Sequence, residues 1–413
     1  MKILFFLEDY YLGGLDTFVI NLINSWPDPH DELILICNHQ HTGISYIKSS
    51  LQRKCSVCLH RIIIFTSFFE LTKTQFFEKV LKILFKITAP ISRYVFFFFN
   101  VFALKKLLRK FNANRLLVIN GGYPGGDSCR AALVAWAMLG CRPKAILNFH
   151  GIVTRPPFHT HLQEHFIDTL MLRSTKTFIT VSKTAAQTMK TRSIIASQKT
   201  IHYIYNGISI LSGSTFEKNN IKKELSIEND SLLCIMLGAY HQHKNFDKGH
   251  LFLFHAFRKV LERIPNAHLL ICGYGSIKDQ NRVKQYAKDC AIINNTHFFG
   301  FRHDVPELLS QIDVLLVASQ KFESFCFAAI EAMAHRIPVV ATRVGALPEI
   351  ISNGDGGYCI EKDDVNSYAH HLAELLGNNN LRQEQGERAF LRYQNFFTAK
   401  EMALRYHAMI KDE

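Results

Sequence analysis

A chain of 413 residues is too long for one ordinary hydrophobic core, so two or three domains are expected. Hydrophobic residues make up 48% and charged residues 20%, which excludes a disordered chain, and no uncharged 20-residue stretch reads as a membrane span. A net charge of +13 points to an anionic partner, such as nucleotide, nucleic acid or lipid headgroup, without choosing among them.

In chain order, the opening MKILFFLE carries one Lys and a short apolar run before Glu8. It lacks the longer apolar core and small-residue cleavage site of a signal peptide, so it is read as a first buried strand. Gly13 and Gly14 follow it, where backbone N–H groups could approach phosphate or acceptor. The runs ELILICN, RLLVING, AILNFHG and TFITVSK are further strands of the first half, nearly continuous in apolar residues as in sheets covered on both faces. The second half repeats the theme with LLCIMLGAY, AHLLICGYG, THFFGF, DVLLVAS and PVVATRVG. Amphipathic stretches such as LFLFHAFRKVLERI, DVPELLSQI and SFCFAAIEAMAHR lie between them as helices. Two successive strand–helix series predict an α/β protein of two Rossmann-like, doubly wound domains.

The join is expected near residues 207–228, where the composition turns polar. The assigned boundaries are 1–210 for an acceptor-binding domain, 211–385 for a nucleotide-binding domain, and 386–413 for helices that cross back to the first domain. Residues 61–110 break the pattern. Lys79, Lys82, Lys86, Arg93, Lys105, Lys106, Arg109 and Lys110 interrupt runs of Phe, with Pro90 dividing two helices. Such a segment suits either a helical layer on the first sheet or a peripheral contact with an anionic membrane. Ten cysteines are scattered, with Cys37, Cys234 and Cys272 inside strand-like runs, as in a cytoplasmic protein with reduced thiols. Cys55 and Cys58, with His60 nearby, lack the second ligand pair of a zinc site.

The chemistry concentrates at Glu323 and Glu331. The strand DVLLVAS runs into a loop holding Glu323, and helical spacing from Ser324 places Glu331 about two turns into a helix. Eight residues at helical rise separate the two by roughly 12 Å. That span allows one carboxylate at a sugar ring and the other at a ribose, with a diphosphate on the helix N-terminus between them. Carboxylates accept paired hydrogen bonds from vicinal hydroxyls.

At these residues the chain resembles the family-four retaining glycosyltransferases of GT-B fold. The features are Glu323 and Glu331, the small-residue helix Glu331, Ala332, Met333, Ala334, then Pro338, Val339, Val340, and the turn Gly345, Pro348, Glu349. Asn206, Gly207 and Ile208, then Lys248 and Gly249, Gly273, Tyr274 and Gly275, and Gly300 stand upstream in matching order. In the first half the resemblance rests on Gly13 and Gly14, on His150 and Gly151, and on Thr180, Val181 and Ser182.

The resemblance implies two domains facing a cleft that closes about a hinge near Asn206, and a donor held mainly by the second. Glu331 is expected on the ribose, Glu323 on the donor sugar, Lys248 on the diphosphate, and His150 near the sugar. Ser324, Phe325, Cys326 and Phe327 are expected to line the donor pocket, and Gly273, Gly275 and Gly300 to turn closely around the nucleotide. The implied reaction retains configuration, uses no protein nucleophile and needs no metal or cofactor. UDP-sugars are favoured over GDP-sugars, and a glycan or lipid-linked acceptor over nucleic acid. The polar Asp363 and Asp364 pair is read as solvated rather than metal-binding.

Two positions depart from the family pattern. Ala239 stands where an Arg usually partners the Lys, leaving Lys244 or a neighbouring histidine as substitute. Cys326 stands where Gly is common, narrowing the pocket. The rival readings are a nucleotide-sugar epimerase or phosphorylase of the same fold and a non-catalytic membrane scaffold.

Overall fold

The computed structural model describes residues 1–61, 94–140, 142–156, 158–197, 199–210, 221–240, 247–302 and 304–411. The chain divides into two compact units, Met1–Tyr205 with Ala399–Glu413, and Asn206–Thr398.

The first unit holds strands β1 (Lys2–Glu8), β2 (Glu32–Asn38), β3 (Cys55–His60), β4 (Arg115–Asn120), β5 (Ala145–Phe149), β6 (Thr175–Thr180) and β7 (Ile201–Tyr203). They form one parallel sheet in the order β3-β2-β1-β4-β5-β6-β7. The central strands bury nearly every side chain because helices cover both faces, which is why they read as unbroken apolar runs. The C-terminal helix Ala399–Lys411 completes this unit. Its Tyr406 hydroxyl lies 2.7 Å from Asn148 Nδ2, and the Tyr406 ring packs edge-on against Phe18.

The second unit holds β8 (Leu232–Leu237), β9 (Ala267–Cys272), β10 (Thr296–Phe299), β11 (Val314–Val317), β12 (Val339–Thr342) and β13 (Gly357–Ile360). Their order is β10-β9-β8-β11-β12-β13, again parallel, with the reversal beside the first strand that defines a doubly wound sheet. All loops that follow these strands therefore lie along one edge.

The structure corrects three details read from the sequence. The strands β3, β7 and β13 were not anticipated. The return to the first unit falls at Thr398, not near 385, because the helix Asn379–Phe396 stays with the second unit. The helix after β11 begins at Phe327 rather than Ser324, so Glu331 lies little more than one turn inside it.

Residues 62–93 of the basic, Phe-rich segment, Pro90 included, lie outside the described residues. Its remainder is helical over residues 94–111. Phe97, Val101, Leu104 and Leu108 fall on one stripe and are buried in the core of the first unit. Val95, Phe99 and Phe102 are exposed on the same helix. Among the described residues, no helix is long and apolar enough to cross a membrane.

Candidate functional site

The second unit brings together residues far apart in sequence at the edge where its strands end. Lys248 follows the β8 loop and Glu323 follows β11, yet Lys248 Nζ lies 2.6 Å from Glu323 Oε2. The Ser319 hydroxyl donates to the same carboxylate oxygen at 3.0 Å. Both side chains are mostly sheltered, at 19% and 14% exposure. Burial works against the Lys248 charge, but Glu323 outweighs it and the ammonium pKa stands above its usual value.

Glycines fix this geometry. Gly249 is left-handed (φ 75°), and a Cβ there would stand 1.8 Å from the Ala318 carbonyl, so the turn after Lys248 packs directly on the end of β11. Gly345, also left-handed, lets the loop after β12 close on the backbone of Glu323, whose carbonyl accepts from Ala346 N at 2.7 Å. The Gly345 turn therefore holds Glu323 in place, a role that the motif alone did not reveal.

Ser324, Phe325 and Cys326 lead from Glu323 to the helix Phe327–Ala334, with Cys326 extended at its N-cap. Phe325 is buried between Phe327 and Phe397. Burial pushes the Cys326 thiol up to about 12, so the side chain is a neutral space-filler rather than a nucleophile. Glu331 is partly buried, and burial alone lifts its carboxyl to about 7. Among the described residues, no group hydrogen-bonds that carboxylate; the Glu331 carbonyl, by contrast, is bonded by His335 Nδ1 at 2.8 Å.

Gly273 and Gly275 end β9 in a close approach to the neighbouring loop. A Cβ at Gly273 would meet the Gly238 carbonyl at 1.7 Å, and one at Gly275 the Tyr240 Cβ at 2.8 Å. Gly300 faces open space, with no atom near its Cβ position. Ala239 is buried, and Lys244 lies outside the described residues.

The other expected residues belong to the first unit. His150 ends β5 and rests edge-on against Phe18, with ring centroids 4.3 Å apart. Burial lowers its pKa to about 3, so the imidazole is neutral, and its Nε2 is buried with no partner among the described residues. Gly13 is the N-cap of the helix Gly14–Asn24 in extended conformation, and a Cβ there would meet nothing. Its N–H is already committed, donating to Asp16 Oδ2 at 2.7 Å. The other Asp16 oxygen lies 2.6 Å from His41 Nε2, both side chains fully buried. This Asp16–His41 pair was not anticipated, since 25 residues and a strand separate its members.

Cys55 and Cys58 are free thiols on β3 and, with His60, do not form any of the three His or carboxylate groupings of metal-ligand proximity found among the described residues. Asp363 and Asp364 are not part of those groupings either; Asp364 caps the helix Val365–Gly377 through Ser367 N.

Residues 217–392 match the family model described as glycosyl transferases group 1. The chain is 27% identical to the N-acetyl-alpha-D-glucosaminyl L-malate synthase of Bacillus anthracis, over 68% of this chain and 71% of that protein. It is 21% identical to the capsular polysaccharide biosynthesis glycosyltransferase CapM of Staphylococcus aureus, over 78% of this chain and 85% of that one. The crystal structure of Anabaena HepE in complex with UDP and glucose superposes with a TM-score of 0.69 at 16% identity, covering 99% of both chains. These likenesses establish two GT-B-type α/β halves.

Proposed function

We infer that this chain, whose second unit belongs to the group 1 glycosyl transferases, moves a sugar from UDP onto a cell-envelope glycan or lipid-linked acceptor with retention of configuration. The observation that carries the reading is the Lys248–Glu323 pair, which joins two motif positions 75 residues apart at the strand ends. A diphosphate leaving group develops charge as the glycosidic bond breaks, and a sheltered ammonium stabilises that charge with little reorganisation. The same contact holds the Glu323 carboxylate beside the leaving group, where it can accept from hydroxyls of the departing sugar. Glu331, whose carboxylate has no partner among the described residues, is assigned to the two ribose hydroxyls.

No side chain of this set is an activated nucleophile: the Cys326 thiol is protonated and the carboxylates are assigned to hydroxyls. Retention is accordingly assigned to departure and attack on the same face, with the leaving phosphate taking the acceptor proton. Lys248 supplies the positive charge, so the reaction is assigned no metal. UDP is favoured as carrier because the HepE structure holds UDP, and polysaccharide acceptors because CapM serves capsule synthesis. The N-acetyl-alpha-D-glucosaminyl L-malate synthase, whose name joins a sugar to malate, supports a small acceptor as the second reading. A membrane-borne acceptor is supported by the exposed Val95, Phe99 and Phe102 on a helix that also carries Lys105, Lys106, Arg109 and Lys110.

The test is saturable binding and turnover across UDP-, GDP- and ADP-sugars, with Lys248→Ala and Glu331→Ala alongside. Both variants are expected to lose at least about tenfold in donor affinity, and Lys248→Ala about 100-fold or more in turnover. Parent-like behaviour of both variants would remove the donor assignment.

A further inference from the structure

The second unit contains a cavity of about 480 Å³ that includes none of Lys248, Glu323 and Glu331. It opens over the start of the helix His250–Leu261, walled by the helix Ile277–Asp289, by Gln320 and Lys321 after β11, and by Lys362 and Asp363 after β13. Three lining residues carry buried polar atoms with no hydrogen-bond partner among the described residues: His250 Nε2, Arg282 Nε and Gln320 Oε1. An unsatisfied buried polar atom is destabilising, so three around one cavity argue for a ligand that completes them.

Each of the three is already fixed in position by its remaining atoms. His250 is only 5% exposed and stacks on Tyr240 at 5.6 Å. Arg282 donates to the Tyr240 carbonyl at 2.9 Å and pairs with Asp279 at 2.7 Å, leaving Nε–H over. Gln320 donates to the Ala318 carbonyl at 2.9 Å, leaving its own oxygen over. The orphaned groups are thus one cationic donor, one amide acceptor and one neutral imidazole nitrogen, whose ring burial holds uncharged.

The helix start adds a preference for negative charge. Gly249 is its N-cap with no side-chain cap and no acidic residue occupies the first turn, although the Gly249 N–H itself donates to Asp247 Oδ1 at 2.8 Å. Exposed Lys321 and Lys362 stand at the rim, against Asp247 and Asp363. A phosphomonoester dianion answers Arg282, the helix start and the lysines but has no hydrogen to donate to Gln320; a sugar hydroxyl has.

We propose that this cavity is a second small-molecule site, separate from the donor contacts, that binds a phosphorylated monosaccharide. Its wall shares Asp247, Gly249, Gln320 and Lys321 with the chain leading to Lys248 and Glu323, so occupancy bears on that pair. Gln320 N donates to the Asp247 carbonyl at 2.9 Å, tying the two segments together.

The test is calorimetric titration of the full chain with glucose 6-phosphate, glucose and inorganic phosphate, in the presence and absence of saturating UDP. Glucose 6-phosphate is expected to bind at least about tenfold more tightly than either fragment, with UDP present or absent. His250→Phe keeps the ring stack and removes the nitrogen, while Lys362→Glu reverses charge at an exposed position. Each should weaken binding about tenfold while UDP affinity stays at the parent value. The proposal is overturned by no saturable binding to about 10 mM, by displacement on adding UDP, or by parent-like affinity in both variants. Binding of phosphate alone as tightly as the sugar phosphate overturns the sugar half of the assignment.

Discussion

Glu331 titrates near 4.5 in an unfolded chain, but in the folded protein burial holds its proton up to about 7. The folded state thus binds more protons between these values, so Glu331 contributes stability in acid that declines as pH rises through that window. With Glu331 on the ribose as proposed, ligand binding has the opposite slope, because only the ionised carboxylate accepts from both hydroxyls. The affinity for UDP-glucose, whose diphosphate stays ionised, is expected to rise as pH climbs from 6 to 8 and then level off. Glu331→Gln should flatten that profile, as read by titration calorimetry; an unchanged profile would remove Glu331 from the ribose. Gly345 offers a second residue-level test. Its φ of 54° and the 2.0 Å between a Cβ and the Glu323 carbonyl leave no room for Ala. Gly345→Ala should lower kcat about 100-fold through misplacement of Glu323 while the protein remains folded by circular dichroism.

At the level of elements, the helix His161–Ser174 presents Glu164 and Asp168 one turn apart to the interior of the first unit. Glu164 accepts from Arg130 and Arg192, each at 3.0 Å, and Asp168 from Arg192 at 3.2 Å and from the Tyr123 hydroxyl at 2.6 Å. All five side chains are buried. Breaking such a network strands a buried charge, so Glu164→Gln should cost about 3–5 kcal/mol in chemical denaturation. Glu401→Gln, at the exposed pair with Arg405, should change stability by less than about 1 kcal/mol. The sequence revealed neither the network nor the Gly345 clamp, because both join residues distant along the chain. The covered strands were legible as apolar runs. The missed β3, β7 and β13 all lie at sheet edges, where one side is less covered and the apolar run shortens or alternates with polar residues. The helix start was misplaced because Phe325 and Cys326 are apolar for burial in a loop, which imitates helical spacing. The positions of Lys248, Glu323 and Glu331 were legible as a motif; the Lys248–Glu323 contact and the Asp16–His41 pair emerged only from the fold.

At the scale of the molecule, the chain leaves the first unit at Tyr205 and returns at Ala399, and the two passages run together. Ile208 bridges to Thr398, its N–H donates to the Phe397 carbonyl at 3.0 Å, and the Tyr393 hydroxyl donates to the Ile208 carbonyl at 2.8 Å. The second unit is thus contiguous, with its ends pinned side by side, whereas the first is assembled from two pieces. Truncation after Thr398 should leave the second unit protected and the first open to limited proteolysis; protection of both would show that the last helix is dispensable. The returning helix fills a groove by Phe18 and Asn148, and its backbone at Ile410 accepts from Arg115 Nε at 2.9 Å. During synthesis the ribosome makes that groove early and its filler only after the whole second unit. At about 5–20 residues per second, some 200 residues pass in about 10–40 s before the gap can close. For that interval the newborn protein carries an uncovered apolar trough, and its yield in a cell depends on what shields the trough until the final turn emerges.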